Sequence, residues 1–395
     1  MKPASIANPC VAVYRRDILG LSEIFILEQV RALRRYQPHM FGLRRVTGLD
    51  LQGVPVHTFG SGKLGRLREL LFRYAGHGPS LVRAGKKLGP CLVHSHFAMD
   101  GAECLPLVET WKVPLVVTLH GWDVTMTDQA LGKSRRGRRF LLLRPQLQKA
   151  ASLFLCVSNF IRQQALKKGY LAERLVIHHI GVDTTKHVPA PVQMREPKVL
   201  FVGRLVEKKG LTHLLRAMAA RSGSGEAVEL VVIGDGPLRA EHEKEANQLS
   251  VKCNFLGAQP NHVVHDWMRR ARVLAMPSVS AKSGDREGLG MVLCEAFALG
   301  LPTVAFDSGG IREAVSEGCG LLAQEGDSQD LARQLALLLD NEGLRTRLAA
   351  NARRHVVQNF DLAKQTEKLE QLYDLVADNE TRPGIAGKAS LAGTQ

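Results

Sequence analysis

No apolar run in this sequence approaches the ~18 residues that a membrane-spanning helix needs, so an integral membrane protein is not expected. The opening residues, MKPASIANPCVAVYRRD, hold no extended apolar stretch followed by a small-residue cleavage site, which argues against a secreted precursor. Cysteine is sparse and unpatterned. Seven are present (Cys10, Cys91, Cys104, Cys156, Cys253, Cys294 and Cys319), with no Cys-x-x-Cys pair and no zinc spacing, so buried free thiols in a reducing cytosol are expected. Aromatic residues make up only 5% of the chain, too few to lay out stacking platforms, and no nucleic-acid partner is expected. No two aspartates stand two positions apart, so the Asp-x-Asp device for holding a metal ion on a diphosphate is missing, and no metal site is expected. Two glycine-rich strings fail as nucleotide fingerprints. GSGKLG (Gly60 to Gly65) lacks the P-loop's earlier glycine, which is His57, and its Ser/Thr, which is Leu64. GDGPLR (Gly234 to Arg239) has Arg239 where a dinucleotide turn has its third glycine.

What is present is an α/β pattern in two halves of opposite electrostatic character. The chain has 395 residues, the size of two domains. Residues 1–190 carry 28 Lys/Arg against 12 Asp/Glu, whereas residues 191–395 carry 25 against 26. The whole excess of positive charge therefore lies in the first half, which suggests one domain that meets an anionic surface and one that does not. Short apolar strands are expected at 5–14, 89–93, 113–119 and 152–157, with helical patterns between them, among them 22–33 with Ser22 as N-cap. Three prolines in HVPAPVQMREP read as a linker over 187–197. A second series follows, with strands at 198–202, 229–233, 251–256, 273–276 and 303–305, then helices at 331–339, 344–357 and 362–376. Strand–helix alternation of this kind gives doubly wound parallel sheets, which bind ligands at the carboxyl ends of their strands.

Two strings lie at such ends. In EGLGMVLCEAFALGLPTVA (Glu287 to Ala305), glycines open an apparent helix, where bare backbone N–H groups and the helix dipole favour phosphate. Glu287 and Glu295, about two helical turns apart, are expected about 80° apart around the axis, roughly on one side. Carboxylates there suit sugar hydroxyls. In KVLFVGRLVEKKG (Lys198 to Gly210), a buried strand runs into Gly203, then Arg204, with Lys209 beyond: a fork donor and a point cation suited to a diphosphate.

Gly203-Arg204-Leu205 with Lys209-Gly210, then VIGDGPLR, then the Glu-x7-Glu string resemble the retaining GT-B glycosyltransferases of bacterial surface-polysaccharide synthesis. SEIFILEQVRAL, HSHFAMDGAECLPL (His94 to Leu107) and VPLVVTLHGWDVT (Val113 to Thr125) resemble the colanic-acid and amylovoran exopolysaccharide branch. The resemblance implies two facing Rossmann-like parallel-sheet domains with a C-terminal crossover helix. The domains would be an acceptor-binding, membrane-facing domain at 1–186 and a nucleotide-sugar donor domain at 198–361. The helix at 362–378 would return to the first domain, followed by a disordered tail at 379–395. It implies that Arg204 and Lys209 neutralise the nucleotide diphosphate and that Glu287, with the backbone of Gly288, Leu289 and Gly290, binds donor sugar and phosphate. Glu295 would bind ribose, the Gly234–Gly236 turn would shape the nucleotide side, and His120 would stand at the reacting centre. Ser22, Glu23 and Asp123 are acceptor-side candidates, and His94 and His96, which straddle Ser95, read as structural or, for His96, acceptor-lining in preference to metal-binding. Many relatives have a Gly-Gly phosphate loop where this chain has Gly20, Ser22 and Glu23, so Glu23 would repel phosphate unless it turns away.

The stretch 63–87 carries seven Lys/Arg and one acid among exposed-looking leucines, and 133–149 carries seven and no acid. Both read as segments for an anionic membrane surface. The expected function is transfer of a hexose from a nucleotide sugar, a UDP-hexose in preference to GDP-mannose, to a lipid-linked saccharide acceptor. The expected enzyme needs no cofactor or metal and works in the cytoplasm, peripheral to the inner face of the cytoplasmic membrane. A nucleotide-sugar epimerase and a non-catalytic membrane scaffold are the competing classes.

Overall fold

The structure, a computed structural model, describes residues 8–189, 195–221 and 227–378, so the segment 379–395 and the first residues of the expected 5–14 strand lie outside the described residues. The chain forms two compact units, residues 1–181 with 362–395, and residues 182–361.

The first unit contains β1 (Cys10–Tyr14), β2 (Asp17–Ile18), β3 (Gln37–Phe41), β4 (Arg44–Arg45), β5 (Val56–His57), β6 (Leu92–His96), β7 (Leu115–Leu119), β8 (Leu153–Cys156) and β9 (Leu175–Ile177). Seven of them form one sheet in the order β5-β3-β1-β6-β7-β8-β9, and each pairing is parallel. The second unit has β10 (Glu196–Val202), β11 (Glu229–Ile233), β12 (Cys253–Gly257), β13 (Ala271–Met276), β14 (Thr303–Phe306) and β15 (Leu321–Ala323), in the parallel order β12-β11-β10-β13-β14-β15. Both orders run outward from the first strand and then reverse, the Rossmann arrangement, with switch points between β1 and β6 and between β10 and β13. The central strands CVAVY, LVVTL and LFLC are wholly buried, as near-continuous apolar runs covered on both faces by helices must be.

Each unit has its own core. In the first, Val11, Val13, Ile26, Leu27, Val30, Val116 and Leu155 pack with Leu369, Leu372, Tyr373 and Val376 of the closing helix Leu362–Ala377. In the second, Val199, Phe201, Leu214, Val232, Val273 and Phe306 pack with Leu331, Leu335 and Leu338. All seven cysteines are free thiols. Among the described residues, no helix is long and apolar enough to cross a membrane.

Two sequence expectations shift. Ser22 does not cap a helix: residues Leu21–Glu23 form a 3₁₀ turn, the α-helix runs Ile24–Ala32, and Ser22 is exposed. The cause is Glu23, whose carboxylate reaches back to Gly20 N (3.3 Å) and to Arg15 (2.5 Å), tightening the first turn. The division between units falls at Gly181/Val182, ahead of the proline-rich stretch. The described parts of that stretch belong to the second unit. Arg195 is buried and donates to the carbonyls of Met268, Ala271, Leu299 and Gly300, satisfying two helix ends, while Arg353 donates to Thr184 O (2.7 Å) and His187 O (2.9 Å).

Besides its apolar face, two carboxylates tie the closing helix to the first unit: Asp374 accepts from Arg35 (2.8 Å) and Tyr36 (2.7 Å), and Glu370 is the buried one. Glu370, 3% exposed, accepts from the N–H groups of Arg34 and Arg35, both at 2.7 Å. Glu370→Ala should therefore lower stability by about 2 kcal/mol, because two N–H donors lose their acceptor, while Glu370→Gln, which keeps an oxygen there, should cost less than half of that. Urea midpoints followed by tryptophan fluorescence check this, and equal midpoints for Glu370→Ala and wild type would show that the helix is anchored elsewhere.

Candidate active site

At the switch point of the second unit, β10 ends at Val202 and the chain turns through Gly203, Arg204 and Leu205. The GDGPLR turn lies against this corner. Leu205 N donates to Asp235 O (2.9 Å), and Leu238 N to Leu205 O (3.1 Å). A Cβ at Gly234 (φ +140°) would stand 1.9 Å from Gly203 O, and one at Gly236 2.5 Å from Leu205 O. These two glycines are therefore needed for backbone-to-backbone approach behind the corner.

Arg204 is exposed and makes no ion pair among the described residues. A 3₁₀ turn, Glu207–Lys209, then brings Lys209 back so that its stem passes over Gly203 and its ammonium meets Glu287 at 2.8 Å. Both side chains are 14% exposed. Lys208 pairs with Asp285 at 3.1 Å, joining the same two loops a second time. Burial works to raise the Glu287 pKa, but Lys209, then Lys208 and Arg204 outweigh it and bring it to about 2. Glu287 is therefore an anion held among cations.

Glu287 does not sit on a helix, contrary to the helical reading of the Glu-x7-Glu string. It lies in the loop between β13 and the helix Met291–Ala298, which opens at Gly290 (φ +90°) with no side-chain cap. Only Glu295 is helical, so the two carboxylates owe nothing to a shared helical face. The loop is held from β14: Gly310 N donates to Glu287 O (2.9 Å), and a Cβ at Gly309 (φ +60°) would stand 2.4 Å from that oxygen. Nothing in the Glu287 string itself announces Ser308-Gly309-Gly310 as its support. Gly288, Leu289 and Gly290 are all buried, and Glu295 is 3.5 Å from His265. A groove of about 680 Å³ lies nearby, lined by Glu207, Thr212, His213, His242, Ser280 and Glu325, but Arg204, Lys209, Glu287 and Glu295 are not in its wall. The charged cluster therefore lies outside the wall of that hollow.

The first unit has its own polar cluster at its switch point. Arg15 follows β1 and bonds both Glu23 and the buried Asp100, which also takes Arg136 and the N–H of Arg16. Glu23 is thus neutralised by Arg15 and turned inward. Phe97, at the end of β6, has φ +72°, a strained value for an aromatic residue, and its ring lies 4.7 Å from the Arg15 guanidinium and 4.4 Å from the His120 ring centroid. His120 follows β7, and its Nε2 is 3.0 Å from His96 Nδ1. His94 is occupied by Tyr373 (2.6 Å) and Thr118 (2.7 Å). Asp123 is buried, and its oxygens accept from Ala98 N and Gly121 N, both at 2.9 Å, so it braces the Phe97 and His120 corners. Among the described residues no group of three or more His, Cys, Asp or Glu is placed to hold a metal ion. Sequence reasoning missed Arg15, Asp100 and Arg136, although two arginines straight after the first strand were a signal available to it.

Comparison with known proteins fits both units. The model of the family "Glycosyl transferases group 1" matches residues 183–355, and that of "Glycosyltransferase Family 4" matches residues 22–186. The chain belongs to the GT-B glycosyltransferases. Among relatives of this glycosyltransferase, the amylovoran biosynthesis glycosyltransferase AmsK of Erwinia amylovora is 28% identical over 312 residues, covering 76% of this chain and 74% of that protein. WcaL of Escherichia coli (strain K12), assigned to colanic acid biosynthesis, is 32% identical over 276 residues, covering 68% and 66%. The solved structure of HepE from Anabaena in complex with UDP-glucose superposes with a TM-score of 0.75 at 20% identity, covering 92% of this chain and 99% of that one.

The Lys209–Glu287 pair makes a pH prediction. The folded-state pKa of Glu287 is depressed from 4.5 to about 2, so its stabilisation is present above pH 4.5 and is lost as the pH falls towards 2. Glu287→Gln should therefore be clearly less stable than wild type at pH 7 and approach it at pH 3. Urea midpoints at the two pH values check this, and a constant difference would show that Glu287 is not held as an anion.

Proposed function

We propose that this glycosyltransferase is a retaining hexosyltransferase that moves a hexose from a nucleotide sugar to a lipid-linked saccharide in exopolysaccharide or lipopolysaccharide synthesis. The observation that carries the proposal is the Lys209–Glu287 pair, with Arg204 exposed beside it, at the carboxyl end of β10. A diphosphate bears more charge than one carboxylate, so it can draw Lys209 and Arg204 to itself and release Glu287 to accept hydrogen bonds from sugar hydroxyls. Glu295, on the helix that opens at Gly290, is assigned to ribose, and the uncapped N–H groups at that helix start to phosphate. AmsK is named for amylovoran synthesis, which supports a surface polysaccharide, and HepE was solved with UDP-glucose, which supports a uridine-linked hexose.

In the proposed reaction the bond from the anomeric carbon to the diphosphate breaks, and the acceptor oxygen bonds to the same face. The departing phosphate oxygen takes the acceptor's proton. The protein stabilises the leaving group and positions the reactants, with Arg204 and Lys209 as the cations that a metal would otherwise supply and His120 as a hydrogen-bond partner of the reacting sugar. Arg204→Ala and Lys209→Ala should each lower kcat by about 10²-fold or more, and UDP should raise the wild-type Tm more than GDP does. Wild-type kcat in both variants would overturn the diphosphate assignment, and acceptor-free conversion of one nucleotide sugar into another would identify an epimerase.

The acceptor and the membrane are assigned to the first unit. On the helix Gly62–Ala75, Leu64, Leu67, Leu71 and Tyr74 are exposed (58, 52, 44 and 63%), with Lys63, Arg66, Arg68 and Arg73 among them, and Leu142 on the basic helix Arg135–Ala150 is 81% exposed. Apolar side chains flanked by cations fit the interface of an anionic bilayer on the cytoplasmic side. Sedimentation with vesicles should require anionic lipid, weaken with salt, and fall at least tenfold in Leu64→Ser/Leu67→Ser/Leu71→Ser. Equal binding of that variant would remove this helix from the membrane assignment.

A further inference from the structure

His96 is a buried histidine beside His120 to which the catalytic assignment gives no role. It is 1% exposed at the end of β6, and its ring packs 4.5 Å from that of His94 and 5.2 Å from that of His120. One nitrogen, Nδ1, faces His120 Nε2 at 3.0 Å, and the other, Nε2, is buried with no hydrogen-bond partner. Two neutral rings in this contact share one proton along it, so there are two arrangements. If His120 donates, His96 must carry its own proton on Nε2, as a buried N–H with no acceptor. If His96 donates from Nδ1, only a lone pair is left at Nε2.

A second observation separates these arrangements. The Arg15 guanidinium stands 4.7 Å from the ring of Phe97, which packs 4.4 Å from that of His120; its charge disfavours a further proton on both histidines, and its Nε–H is itself buried without an acceptor. A cation and an orphan donor nearby favour a lone pair on His96 and disfavour a further N–H. Burial, and then Arg15 and His94, keep His120 well below the ordinary imidazole range, so it does not escape the choice by taking a second proton. His94 cannot intervene, because both its nitrogens are bonded, to Tyr373 and Thr118. The other aromatic rings against His120 are those of Phe25 and Phe97, which offer no proton.

We propose that His96 is a positioning residue that holds His120 in its Nδ1–H form, so that His120 offers a hydrogen-bond donor to a hydroxyl or ring oxygen of the reacting sugar and cannot act as a base through Nε2. The Nδ1 atom makes no hydrogen bond among the described residues, and His120 as a residue is only half-buried, which leaves this donor for a ligand. This rests on the reading that His120 serves the transfer. It adds which atom serves, in which protonation state, and what enforces it.

Nitrogen NMR of the full chain labelled at histidine reads the tautomer directly. The expected spectrum shows His120 protonated on Nδ1 from pH 5.5 to 8.5, and UDP-glucose, but not UDP alone, moves that resonance. In His96→Phe the fixed tautomer should be lost and kcat should fall about tenfold or more with little change in donor KM, while His96→Asn, whose amide places a donor near the lost Nδ1, should recover most of the rate. A proton on His120 Nε2 in the wild type would overturn the proposal, and that measurement decides the matter even if His96→Phe does not fold. An equal response to UDP alone would overturn the assignment to sugar oxygen. If His120→Ala keeps wild-type kcat, the underlying functional reading fails. If His120→Ala is inactive and folded His96→Phe is fully active, only the role of His96 fails.

Discussion

The second unit is organised around keeping one carboxylate charged in a partly buried place. Glu287 would be raised by burial towards the neutral acid, and it remains an anion because Lys209, Lys208 and Arg204 come from the loop after β10 to meet it. This requirement explains several features that look unrelated in the sequence. Gly234 lets the GDGPLR turn close behind the Arg204 corner, Gly203 leaves room for the lysine stem, and Gly309 lets the β14 loop carry the Glu287 backbone. In the proposed function, a ligand that brings both a diphosphate and sugar hydroxyls would satisfy the cations and the carboxylate of this pair separately.

The first unit meets the same problem with a different solution. Its cations are arginines, bonded to Asp100 and Glu23, and its switch point carries a strained Phe97 and three histidines in mutual contact. Burial keeps those rings uncharged beside Arg15, so they act as directional hydrogen-bonding groups and not as extra cations. The net positive charge of residues 1–190 is displayed mainly on the surface, where basic helices expose Leu64, Leu67 and Leu142.

Much of the architecture was legible because parallel strands in a doubly wound sheet are short, apolar throughout and separated by helical patterns. The positions of Arg204, Lys209 and Glu287 were legible because each sits just past a recognisable strand or beside a glycine-marked turn. The error over the Glu-x7-Glu spacing is instructive: a helical wheel assumes a helix, and Gly290, with φ +90°, starts it only after Glu287 has passed. The compact units divide at Gly181/Val182, a few residues ahead of the expected boundary, because Arg195 and Arg353 bind the described parts of the proline-rich stretch and its approach to the second unit. The Arg15–Asp100 and His96–His120 contacts span 85 and 24 residues, and no local pattern reports contacts between strand ends that distant.

The most direct measurement is a crystal structure of the chain with a UDP-hexose bound. The account predicts the diphosphate on Arg204 and Lys209, the Lys209–Glu287 contact opened, and the Glu287 carboxylate on sugar hydroxyls. A diphosphate bound elsewhere, with Lys209 still on Glu287 at 2.8 Å, would contradict it.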